Sequence, residues 1–313
     1  MKGIELCEKF YLEYGAPMLK ENFSELEGLI AVGIAGSGSE CLGYDDEISR
    51  DHDFEAGFCI FLPDESLVDR KTEFALERAY SKLPEDFMGY KRQKLSPVGG
   101  NRHGVMRISD FVLGKTGRED AELSVEEWFF IPEQALLEAT DGKIFCDGLG
   151  LISSIRSRLS YLPEDVRRKK LAGELLMMGQ TGQYNYGRCV ARTDSAGAQL
   201  ALAEFVKSAI HVSCLIDKKY MPYYKWSFRA LGASERFSSL LGGLEYLISS
   251  SNSKEEVDKK VGIIEKTCES IVDALRKERL SCEASRELEA HAYSVNATVK
   301  DPKIRNLHIL YAI

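Results

Sequence analysis

Two short apolar runs stand out from the mixed pattern of the first half of the chain, residues 29–35 and 54–62. Each is too short for a free-standing helix. Glycines follow the first and Pro63 follows the second, so both predict buried strands. Ahead of them Ile4, Phe10, Tyr11, Tyr14 and Met18 recur at mostly helical spacing and predict a helix over residues 2–22. Behind them Asp64 and Glu65 open a charged amphipathic segment that runs through Ser81, with Leu67, Phe74, Ala75 and Ala79 as its inner face. Residues 92–104, rich in Gly, Pro and basic side chains, read as a loop, and residues 104–113 as a third strand. Residues 125–131 read as a strand or as the entry to a helix over 132–139, where Pro132 suits the first turn. After the turn at Thr140-Asp141-Gly142, residues 143–146 form a short extended piece.

Beyond Gly150 the periodicity changes. Residues 151–159, 166–178, 196–215, 234–247, 255–274 and 282–292 carry helical spacing, and β-rich runs nearly vanish. The last seven residues, 307–313, read as a small strand or a helix that docks back. The whole predicts an α+β protein: a mixed α/β domain over residues 1–150 and an all-helical substrate-binding or accessory domain over 151–313.

Composition narrows the function classes. With 44% apolar and 29% charged residues the chain is that of a globular protein, and its 313 residues suit two domains. No apolar run approaches the roughly 20 residues of a membrane span, and the acid-bearing N-terminus does not read as a signal peptide. The expectation is a cytoplasmic protein without a membrane partner. The eight cysteines show no CxxC pair, which favours buried free thiols over zinc or disulfides. A net charge of −8 makes long nucleic acid a less favoured partner.

The candidate chemistry lies between the two apolar runs. Gly36-Ser37-Gly38-Ser39 offers unobstructed backbone N–H groups and two hydroxyls just after a strand, and a helix beginning near Glu40 would add positive potential toward an anion. The spacing is not that of a dinucleotide fingerprint, because Cys41 stands where the third glycine belongs. Nor is Gly114-Lys115-Thr116 a P-loop, because Ser109 occupies its leading position. Further on, Asp51 and Asp53 open the second strand, and strand alternation would point them to one face. Two neighbouring carboxylates repel unless they share a proton or a cation, and hard oxygen ligands suit Mg²⁺. The plain alternative is a solvated acidic turn, since Asp45, Asp46, Glu47 and Glu55 surround them.

Taken together, a Gly-Ser turn, about a dozen residues, and Asp-x-Asp running into an apolar strand resemble the signature of the polymerase-β-type nucleotidyltransferase superfamily. Gly38-Ser39 matches the Gly-Ser element, and Asp51 and Asp53 the metal-binding pair. GSGSECLGYDDEISRDHDF looks like an uncharacterised bacterial family of that superfamily with a helical C-terminal domain, as do the segments around Trp128, Asp147, Arg188, Arg192 and Tyr220–Trp226. The resemblance implies a nucleotidyltransferase-like core in which Gly38 and Ser39 contact the triphosphate and Asp51 and Asp53 hold Mg²⁺. It also implies transfer of a nucleoside monophosphate from an NTP, ATP among them, to a small-molecule or protein acceptor. The sequence departs from the pattern at His52, where an apolar residue is usual, and has no marked third carboxylate. Asp110 is the candidate for that catalytic role.

In the helical half, Lys225 and Arg229 stand one helical turn apart beside Tyr223, Tyr224 and Trp226, a pattern that suits phosphate and base contacts or, equally, a core helix with cations reaching outward. The segment 179–197 reads as a substrate-facing loop or an interhelical connection held by an Arg–Asp pair. Arg286 and His291 match the R-x4-H spacing of some helical RNases, although a charged helix surface accounts for them. Two function classes follow: an Mg²⁺-dependent nucleotidyltransferase, or a catalytically inactive nucleotide-binding regulatory or partner-binding protein.

Overall fold

A computed structural model describes residues 1–48, 55–92, 102–311 and 313. The fold is α+β, and the chain divides into two compact units. The first comprises Met1–Ser124 and Gln134–Ser160, the second Val125–Glu133 and Tyr161–Ile313.

The first unit is built on a four-stranded sheet. Its strands are β1 (Ala31–Ile34), β2 (Cys59–Leu62), β5 (Gly104–Arg107) and β6 (Lys143–Asp147), in the order β5-β2-β1-β6. A separate hairpin pairs β3 (Asp86–Phe87) with β4 (Tyr90–Lys91). Its two turn residues, Met88 and Gly89, have φ of 53° and 84°, as a two-residue hairpin turn requires. β1 and β2 are short and buried along their whole length, which is why they appear in the sequence as continuous apolar runs. Val32, Ile60 and Leu62 share a core with Leu6, Phe10, Leu76 and Tyr80, while the Phe61 ring meets Phe111 edge-on at 5.2 Å.

Several expectations need correction here. The N-terminal helix is interrupted: Gly3–Phe10 and Ala16–Asn22 are α-helical, and Tyr11–Gly15 between them is a π-helix. The helix Arg70–Ser81 buries Leu76 and Tyr80, whereas Leu67, Phe74 and Ala75 are exposed. Tyr80 wins the inner face because its hydroxyl accepts a hydrogen bond from Phe58 N at 3.1 Å, which a phenylalanine at 74 cannot do. The third strand ends at Arg107, and residues Ile108–Thr116 turn back as a helix closed by Gly117 in the left-handed conformation.

The second unit is helical. Glu164–Met178 packs most extensively against Ser195–Ile216 and Leu288–Ala297. It is buried on nearly every side although it carries many charges, so each buried charge needs a partner. Arg167 donates to Leu215 O at 3.0 Å, and Lys169, fully buried, donates to Asn296 Oδ1, Arg305 O and Leu307 O at 2.6–3.1 Å. Residues 125–130 form a helix, with Trp128 and Phe129 buried. Ser195–Ile216 is long and apolar enough to cross a membrane by length and composition, and most of it is buried in this unit. The helix matches the one expected over 196–215, and Glu204 and Lys207 interrupt its apolar run, so no unbroken apolar stretch of that length stands in the sequence. The 179–197 segment is no loop: Gly179–Tyr186 is a π-helix, Gly187–Ala191 is an α-helix, and Asp194 caps the next helix by accepting from Gly197 N at 2.8 Å. The expected helix over 234–247 is a 3-10 turn, Ser238–Leu240, followed by Leu241–Ser249. Helix Leu288–Ala297 starts six residues later than its expected Cys282, and residues 309–311 form a turn.

Candidate functional site

Strand register gathers a set of loops at one end of the sheet. β1 is antiparallel to β2 and β6, placing Gly33 opposite Cys59 and Ile34 opposite Lys143. β5 runs parallel to β2 with Gly104 opposite Cys59. The C-terminal end of β1 therefore meets the N-terminal ends of the other three strands. That end carries the 36–39 turn, residues 55–58, Arg102 and His103, and Gly142.

The 36–39 turn leads into further turns rather than a helix. Tyr44 N donates to Ser39 O at 2.8 Å and Gly43 N to Glu40 O at 3.2 Å. Gly36 and Gly38 have φ of 110° and 153°. A Cβ at Gly38 would stand 2.6 Å from Glu40 Oε2 and would overlap the Arg102 guanidinium. The glycine thus makes room for an ion pair. Arg102 bonds Glu40 Oε1 through one terminal nitrogen, and its Nε donates to Ser37 O at 3.1 Å. Glu40 is the buried member, 8% exposed at its side chain against 23% for Arg102.

A second pair lies at the same end. His103 Nδ1 is 3.2 Å from Glu55 Oε1, and the imidazole presses on Gly57, where a Cβ would come within 2.7 Å of His103 Cγ. Cys59 Sγ donates to Arg102 O at 3.3 Å, and Cys7 Sγ to Glu55 O at 3.6 Å. Burial pushes the Cys7 and Cys59 thiols up to about 12 and raises Cys41 as well, so all three pack as neutral groups at neutral pH. Asp45, one of the acidic neighbours, holds the N-terminus in place. Its Oδ2 accepts from Gly3 N at 3.0 Å, and Lys2 Nζ lies 3.4 Å from Oδ1.

Asp110 is placed elsewhere. It is exposed in the first turn of the helix after β5, beyond the opposite end of that strand, in a groove with Asp64, Glu65, Arg70, Glu73 and Arg107. Arg107 Nε donates there to Glu73 Oε2 at 3.0 Å. Asp51, His52 and Asp53 lie outside the described residues. Among the described residues no group of three or more His, Cys, Asp or Glu side chains could hold a metal ion.

Lys225 and Arg229 belong to the second unit, on the helix Tyr224–Gly232. Both lie 5.0 Å from the centroid of the Trp226 ring. Tyr223 and Tyr224 are exposed beside them with ring centroids 4.3 Å apart, while Tyr220 is buried against Tyr161. His291 is not a surface residue: it is fully buried, with Nδ1 2.8 Å from Ser281 Oγ and Nε2 2.9 Å from Ser285 O. Those bonds satisfy both ring nitrogens.

Sequence reasoning missed Arg102, Glu40 and the His103–Glu55 pair. It also missed a buried network in the second unit. There His211 lies between Glu133 and Glu174, and Lys170 Nζ is 3.9 Å from Glu133 Oε1. The available signal for the network was a histidine inside the apolar run that follows Ala209, which needs a buried partner.

The family described as a domain of unknown function (DUF4037) matches residues 128–227, about a third of the chain. That segment takes in Glu133, Lys170, Glu174, His211 and Lys225 and ends before Arg229, while the 36–39 turn lies outside it. No curated protein matches the chain. Among solved structures the chain is similar to a nucleotidyltransferase-like protein from Exiguobacterium sibiricum 255-15, at 12% identity over 90% of this chain and 89% of that one, with a TM-score of 0.35. A score that low does not establish a common fold.

Proposed function

We propose that the protein transfers a nucleoside monophosphate from an NTP to a hydroxyl or similar acceptor in an Mg²⁺-dependent reaction. The observation that carries this reading is the Gly38-Ser39 element followed in sequence by Asp51-x-Asp53, with Gly38 and Ser39 lying where β1 stops and β2 begins. The backbone N–H groups of residues 37–39 and the Ser39 hydroxyl would bind phosphate oxygens, since Gly36 N already donates to Glu138 O at 3.0 Å, and Asp51 and Asp53 would hold the metal. Mg²⁺, when bound, neutralises charge on the triphosphate and on the departing pyrophosphate. Incubation with each labelled NTP, Mg²⁺ and a cell extract tests the reading. It predicts a labelled product and pyrophosphate with at least one NTP; no label transfer with any of the four overturns it.

The position of Asp110 favours a second reading. With that carboxylate beyond the opposite end of β5, a nucleotide-binding protein without turnover would fit the turn equally well. It predicts thermal stabilisation by NTP with no pyrophosphate released.

A further inference from the structure

We propose that Arg102 is the side chain with which the 36–39 turn recognises polyphosphate, and that Glu40 competes with the phosphates for it. This rests on the reading of the turn as a nucleotide site. The space vacated by the missing Gly38 side chain, which the sequence alone would assign to an approaching phosphate, is occupied by the Arg102 guanidinium together with the Glu40 carboxylate. An anion that approaches the turn at Gly38 therefore meets that guanidinium and the carboxylate paired with it. A planar, permanently charged fork suits two phosphate oxygens at once. Arg102 is the more exposed member of the ion pair, and Glu40 is the buried one. Arg102 is also fastened to the turn itself through Ser37 O, so a shift of the guanidinium is felt by the backbone that would hold the phosphates.

Glu40 gives this arrangement a selectivity. A buried carboxylate beside an anion site opposes anions. A ligand with several negative charges can outcompete it for the guanidinium, whereas a singly or doubly charged group is at a disadvantage. The turn should accordingly prefer a triphosphate chain to inorganic phosphate.

Calorimetric titration of the full chain with ATP and with inorganic tripolyphosphate, each with Mg²⁺, tests the proposal. Glu40→Gln removes the competing charge and keeps an oxygen that can accept from Arg102; it should bind both ligands about 3- to 10-fold more tightly. Arg102→Ala should weaken both by about tenfold or more. A pair that only braces the turn would make both variants bind more weakly, and that result overturns the proposal. If Arg102→Ala does not fold, Glu40→Gln decides by sign alone: tighter binding supports the proposal, and unchanged or weaker binding overturns it. Wild-type protein that binds neither ligand removes the nucleotide reading as well. Wild-type binding combined with a wrong sign in Glu40→Gln removes only this inference.

Discussion

His211 bridges two carboxylates in the second unit, its Nε2 2.9 Å from Glu133 Oε1 and its Nδ1 2.8 Å from Glu174 Oε1. Glu133 Oε2 also accepts from Met221 N at 3.0 Å, so the network ties Glu133 to two long helices and to the segment before Tyr223. Both ring nitrogens face acceptors, which only the imidazolium can satisfy. Burial would push the imidazole down, but the two carboxylates outweigh it and hold it up at about 9. Burial would raise Glu133 and Glu174 in turn, and His211 holds both below the usual carboxylate value.

The pH dependence follows from these directions. The folded value of His211 lies above its ordinary 6.5, so its contribution is complete below about pH 6.5 and is lost as pH rises through about 9. The two glutamates lie below their ordinary 4.5; their contribution is present above that pH and is lost as the pH falls through their folded values. Urea unfolding across pH should show a stability plateau between these limits and a decline on the alkaline side. That decline should be absent in His211→Gln, which should itself cost about 3–5 kcal/mol by removing the imidazolium from between two buried carboxylates.

Lys260 is fully buried, and its hydrogen-bond partners among the described residues are amide oxygens. Its ammonium donates to Ser250 O at 3.0 Å, Asn252 Oδ1 at 2.9 Å and Leu247 O at 3.4 Å, closing the end of the helix Leu241–Ser249. Lys260→Met keeps the apolar stem and abandons these acceptors, and should cost about 1–3 kcal/mol in a urea melt. An exposed lysine such as Lys254 replaced in the same way should change stability by less than about 0.5 kcal/mol.

Gly142 and Gly28 share a φ of 87° but differ in surroundings. A Cβ at Gly142 would overlap Ile34 O and stand 2.9 Å from Ile34 C, whereas nothing lies within 4 Å of one at Gly28. Gly28→Ala should cost only the left-handed backbone penalty, about 1–2 kcal/mol. Gly142→Ala must also displace the end of β1, and should cost clearly more and weaken any ligand held by the 36–39 turn. Equal thermal shifts in the two variants would contradict the contact.

The parts of this fold legible in the sequence are those that short-range patterns encode. Residues 31–34 and 143–147 are strands because their neighbours terminate them sharply, Gly36 in one case and Gly142 in the other. The strand-to-helix change at Arg107–Ile108 carries no turn former, so residues 104–113 look like one apolar run. Glycines disguise the π-helix Gly179–Tyr186 as a loop. At the candidate site the turn itself was visible, but its partners were not. Arg102 and Glu40 stand 62 positions apart, and only the parallel pairing of β5 with β2 brings the residues before β5 to the end of β1. Asp110 flanks the other end of β5, and closeness in sequence to β5 says nothing about which end of the strand a residue flanks.

Nucleotidyl transfer with Asp51→Asn and Asp53→Asn tests the central claim most directly. Each variant should release no pyrophosphate from NTP and Mg²⁺ under conditions where the wild-type chain does, while unfolding at the wild-type temperature. Full turnover in either variant would contradict the assignment of these aspartates, and with it the nucleotidyltransferase account.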